Sequence, residues 1–215
     1  MMAKKKKEKE EKKKEEEEKD NSVKYFIYAI VVLAVIILFI IGVRYFYHPK
    51  EKSNSYSYNN FLFTNISGMW LTEIQKAGTN KVYRVPLHFG PLELENIPIE
   101  GDVISFRNVS QLYITFVPTN EPLSFIALSA SELSINLAQT FNITPIAACT
   151  ANETDACSSR PVVDCKTPDE KAIFLNYGNK TQIYVKNNCI FVEGTGKEIV
   201  KATDRLLLKW FSIMK

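Results

Sequence analysis

Histidine is scarce in this chain, with His48 and His88 the only two among 215 residues. A Ser-His-Asp arrangement would have to use His88, and neither G-x-S-x-G nor H-E-x-x-H is present. C-x-x-C and C-x-x-H are missing as well. That removes the usual zinc knuckle and the thioredoxin-type redox pair, although four cysteines are available. A Walker A loop is also lacking. Its nearest approach is "VEGTGKEIV" (Val192 to Val200), where Phe191 and Glu198 stand in place of the required glycine and hydroxyl residue. The stretch reads instead as a tight turn built on Gly194 and Gly196, whose free N–H groups could hold an anion. Glu153, Asp155, Asp164 and Asp169 crowd one region without EF-hand spacing and read as a solvated acidic loop. No internal repeat occurs, and no catalytic residue, metal site or cofactor is assigned.

An excess of charge of one sign is also lacking where it would matter. Residues 1–24 hold ten lysines and eight acids; beyond them remain 17 of the 27 basic and 16 of the 24 acidic residues. A near-neutral body has no counterion-release drive toward a polyanion, so nucleic acid is excluded as a partner. Residues 1–23 form an almost wholly charged arm, helical or disordered. Pairs such as Glu8–Lys12 and Glu15–Lys19 add about 0.3–0.5 kcal/mol each to a helix, and no apolar stripe supports them.

What the chain does have is one long hydrophobic run. "YFIYAIVVLAVIILFIIGV" (Tyr25 to Val43) is 19 residues without a charge, about 28 Å as a helix and close to the thickness of a bilayer core. Tyr25, Phe26 and Tyr28 at one end and Tyr45, Phe46 and Tyr47 at the other suit the two interfaces. A small-residue cleavage site does not follow, so residues 24–47 are expected to remain as a signal anchor in the lipid bilayer. The lysine-rich flank places the N-terminus in the cytoplasm and residues 61–215 outside the cell membrane. The span has no G-x-x-x-G and hence no dimerisation signal. Five N-x-[ST] sequons follow it, at Asn65, Asn108, Asn142, Asn152 and Asn179, against about two expected by chance. They are candidate glycosylation sites if the domain is translocated.

On the outside of a membrane, Cys149, Cys157, Cys165 and Cys189 are expected to form two disulfides. Four cysteines allow three connectivities. "AIFLNY", "TQIYV" and "CIFVEG" read as a three-strand meander, whose first and third strands start at the same end of a sheet. Cys165 and Cys189 occupy those starts, which favours Cys165–Cys189 with Cys149–Cys157.

The rest of the outer region reads as one α+β domain of mixed sheet and about two helices, behind a linker over residues 48–60. "FLFTNISGMWLTEIQ" and "KVYRVPLHF" carry strand patterns joined by the turn "KAGTN". "PLELENIPIEGDVISF" wraps an edge, and "VSQLYITFVP" is a strand with Leu112, Ile114 and Phe116 on one face. Residues 122–141 have helical spacing at Ile126, Ala130, Leu133, Leu137 and Phe141. A final helix over about 197–214 shows Lys197, Lys201, Arg205 and Lys209 at i,i+4 spacing. This stripe is either a solvated face or a contact for lipid headgroups or an acidic partner.

"ALSASELSINLA", "AACTANETDAC", "RPVVDC", "NNCIFVEG" and "KATDRLLLKWFSIM" together resemble a group of small archaeal single-span membrane proteins that carry no assigned function. The resemblance covers about residues 60–215. It implies an archaeal cell surface, an outward-facing domain and a shared framework that includes Asn152 and the four cysteines, and it transfers no chemistry. Two functions are therefore carried forward. One is a membrane-anchored surface module, without catalysis, that binds or assembles with an envelope or membrane protein. The other is an extracytoplasmic hydrolase of envelope polymers that uses acids near the cysteine-rich loop. A thiol–disulfide partner role is the weakest option.

Overall fold

The computed structural model describes Lys24 and residues 26–44, 54–75, 80–119, 123–166 and 170–215. The charged arm (1–23), the aromatic positions Tyr25 and Tyr45–Tyr47, most of the "KAGTN" turn and Asp169 lie outside the described residues. The chain divides into two compact units, residues 1–51 and 52–215. In the first, helix α1 (Phe26–Arg44) has 19 residues and a mean hydropathy of 3.3, with its apolar side chains exposed. It is long and apolar enough to cross a membrane; a signal sequence has the same properties. Such a helix ahead of a disulfide-bonded domain fits a single-pass membrane protein or a secreted one.

The second unit is mixed α+β, and with α1 the described residues form four helices, two sheets and two disulfides. Its first sheet is an antiparallel meander of β1 (Ser55–Tyr58), β2 (Phe61–Ile66), β3 (Met69–Gln75) and β4 (Val82–Leu87). The stretch 48–60, read from sequence as linker, thus supplies a strand. Tyr56 pairs with Phe63 and Tyr58 with Phe61, so alternate tyrosines turn toward the core. Ser67 and Gly68 link β2 to β3 with both φ values positive, 54° and 86°, the backbone a two-residue hairpin loop needs.

The second sheet has the order β5-β9-β10-β8-β6-β7. It comprises β5 (Ile99–Glu100), β6 (Gln111–Phe116), β7 (Thr144–Ala147), β8 (Ala172–Asn176), β9 (Gln182–Lys186) and β10 (Cys189–Glu193). The expected meander is replaced by another arrangement. β10 hairpins back from β9 and inserts between β9 and β8, parallel to β8. This insertion puts Ile190 and Val192, both fully buried, in the middle of the sheet.

Helix α2 (Pro91–Leu94) is a single turn; α3 (Ser124–Asn136) and α4 (Lys197–Trp210) are the long ones. α3 ends in a wide π turn, Leu137–Phe141, that Asn142 closes at φ 56°. α3 packs on β7 and β8, and α4 on β9 and β10, while α4 also touches α3 and α2. Leu112, Ile114, Leu133, Ile173, Leu175, Ile190, Leu206 and Trp210 share one core with Phe63, Val85 and Leu87 of the first sheet. On the other face of the second sheet, beside the Cys165–Cys189 bridge, Phe191 stacks on Tyr184 and meets Phe174 edge to face, so that aromatic contact runs across three strands.

Candidate functional site

The cysteine-rich loop is held at both ends. Cys149 pairs with Cys157 and Cys165 with Cys189, and all four sulfurs are buried. Parallel β8 and β10 begin at the same end, so the reasoning that favoured this pairing holds although the meander does not. Val163 returns to the sheet, where its carbonyl accepts the Thr115 hydroxyl at 2.8 Å. The loop's acids do not converge. Glu153 and Asp155 are exposed, and Asp164 accepts the Lys166 N–H at 3.0 Å and pairs with its ammonium. The Lys166 N–H is the main cause of the lowered pKa of Asp164.

The basic positions of α4 do not share an exposed face. Lys197 is exposed and Lys209 half-buried. Lys201 bonds Glu198 at 2.7 Å and lies over the Phe89 ring. Arg205 is 6% exposed; its Nη2 donates to the Lys215 carbonyl, and its Nε and Nη1 have no partner. Burial lowers the Arg205 pKa. The stripe read as a solvated face or as a headgroup or partner contact is thus divided, because packing against α2, α3 and the second sheet buries α4 nearly all round. The turn before α4 does need its glycines. Gly196 has φ 59°, and a Cβ on Gly194 would lie 2.6 Å from backbone atoms of Glu198 and Ile199.

A cluster the sequence reading did not assemble sits between α3, α4 and the corner after β4. His88 Nδ1 hydrogen-bonds Glu132 Oε1, and the Phe89 N–H donates to Asp204 Oδ2 at 2.8 Å. The Glu132 and Asp204 carboxyls lie close enough to act on each other. Asp204 is fully buried and Glu132 nearly so, while His88 is partly exposed. Burial pushes Asp204 well above the carboxylate range, and the Glu132 charge adds to it. Burial also raises Glu132, with His88 pulling it back down. His88 had been considered only as a triad member. The two acids left faint signals: Glu132 is the lone charge in residues 122–152, and Asp204 the lone acid in residues 199–215. Among the described residues, no three ligating side chains are placed to hold a metal ion.

The first sheet turns its other face to solvent. Leu62 is 61% exposed, Ile66 45% and Val82 57%. With Leu71 and the Arg84–Glu73 ion pair (3.1 Å), Leu62 and Ile66 line an open concavity of about 650 Å³. Four sequon asparagines, Asn108, Asn142, Asn152 and Asn179, are exposed outside the strands. Asn65 is half-buried in β2, and its Oδ1 accepts the Gly68 N–H at 3.2 Å. No protein-family model, curated protein or solved structure matches the chain.

Proposed function

We infer that the protein is a membrane-anchored module whose C-terminal domain stands outside the cell and binds a neighbouring envelope or membrane protein without catalysis. The observation that carries this reading is the solvent-facing side of the β1–β4 sheet. Exposed Leu62, Ile66 and Val82 there surround an ion pair that offers orientation rather than chemistry. Large apolar side chains exposed together on one face of a folded domain favour an interaction site. The lysine-rich flank of α1 and the two disulfides support an outward-facing domain. The hydrolase reading loses its footing, since the acids it relied on among the described residues face water or are paired with Lys166.

The test is photo-crosslinking of the full chain in its native membrane. A photo-reactive group at position 62 or 66 is expected to give one discrete protein adduct, and a group at exposed position 162 none. Leu62→Lys with Ile66→Lys should abolish the adduct from a probe at position 82 and leave the thermal midpoint unchanged. Equal adducts from all positions, or an adduct indifferent to the two lysines, would sink the reading.

A further inference from the structure

The three side chains of the buried cluster leave a gap in their hydrogen bonding that a single proton can fill. His88 Nδ1 occupies Glu132 Oε1, and the Phe89 N–H occupies Asp204 Oδ2. The other two oxygens, Glu132 Oε2 and Asp204 Oδ1, have no hydrogen-bond partner among the described residues. Two buried carboxylates cannot sit against each other with both charges intact, because nothing in the interior screens them. A single carboxyl proton resolves this. Placed on Asp204, it donates to Glu132 Oε2 and leaves Asp204 Oδ2 free to accept from Phe89 and Glu132 Oε1 free to accept from His88. Each of the four carboxyl oxygens of Asp204 and Glu132 then has a partner.

The geometry points to a proton-binding latch: one proton shared by Glu132 and Asp204 ties α3 to α4 and both to the β4–α2 corner, so that the domain is most firmly closed in an acidic medium and loosens as the medium turns alkaline. The surroundings leave the latch to its own members. On α4, Lys201 is engaged by Glu198 and Phe89, and Arg205 is turned to Lys215. On α2, Glu93 accepts the Gly90 N–H. On α3, the nearby buried side chains are the neutral Ser129 and Asn136. Among the described residues, the charged groups named as acting on the two acids are each other and, for Glu132, His88.

The direction of the pH effect follows from where the proton is held more tightly. Both acids bind it more strongly in the fold than in the unfolded chain, so their contribution is complete below about pH 4, the ordinary carboxylate value. It is lost as the pH rises through the raised folded values. Asp204→Asn supplies an N–H in place of the proton and a carbonyl for Phe89, and so fixes the latch in its closed form.

The experiment measures thermal midpoints of the full chain in neutral detergent from about pH 4 to about pH 8. The wild type is expected to lose roughly 5 °C or more toward the alkaline end. Asp204→Asn should be flatter than the wild type and should exceed it there. His88→Gln, which retains a donor to Glu132, should keep the alkaline loss. Infrared spectra of wild-type protein near neutral pH should show the carbonyl stretch of a protonated buried carboxyl, and this measurement stands even if a variant does not fold. Parallel profiles for wild type and Asp204→Asn, loss of the pH dependence in His88→Gln, or absence of the protonated-carboxyl band would each overturn the latch.

Discussion

At the scale of single residues, Gly194 and Arg205 make opposite statements about the same helix. Gly194 has no room for even one carbon, because the first turn of α4 passes directly over it. Gly194→Ala should therefore cost about 1–3 kcal/mol by forcing that turn outward, as overpacking does elsewhere, and chemical denaturation would measure it. Arg205 is the reverse case: a buried guanidinium with two of its three nitrogens unpaired. Arg205→Met should be neutral or stabilising, since the side-chain volume is kept and the desolvation penalty is removed. A loss above about 2 kcal/mol would mean that the charge has a partner in the folded protein. The sequence showed Arg205 only as one step of a basic stripe, because i,i+4 spacing reports which residues share a face and not what that face meets. The acid pair was hidden for a similar reason. Glu132 and Asp204 are 72 positions apart, and neither lies in a motif.

At the scale of elements, the pieces were more legible than their neighbours. The strand at Gln111–Phe116 and the two long helices follow from local periodicity, and each lies within a residue or two of where that periodicity starts it. The order β9-β10-β8 did not follow, since a turn between consecutive strands does not reveal whether the second lands beside the first or one place further on. β1 was missed because serine and asparagine around Tyr56 and Tyr58 read as linker, whereas the two tyrosines share the one face of the strand that meets the core. The cysteine pairing survived because both arrangements align the starts of β8 and β10. The two bridges close loops of 8 and 24 residues, worth about 2.5 and about 3.5 kcal/mol by loop-closure entropy. Replacing Cys165 and Cys189 together by Ser should hence lower stability more than the same change at Cys149 and Cys157. Equal losses would show that burial of the sulfurs, rather than loop length, sets the cost.

For the molecule as a whole, composition settled the broad class and left the proposed binding face unseen. The apolar run, the lysine-rich flank, the sequons and the even cysteine count all describe a topology, and a topology says nothing of ligands. The exposed side of the β1–β4 sheet could not be read in advance, because Leu62 and Ile66 alternate with Phe63 like any half-buried strand. Only the positions of α2, α3 and α4 determine which face is covered. The outward orientation of residues 61–215 is the claim from which the binding role follows, and non-reducing peptide mass mapping of protein purified from its native membrane tests it most directly. Intact Cys149–Cys157 and Cys165–Cys189 links are expected, together with a glycan on at least one of Asn108, Asn142, Asn152 and Asn179. Four free thiols with bare asparagines would contradict the account and place the domain in a reducing compartment.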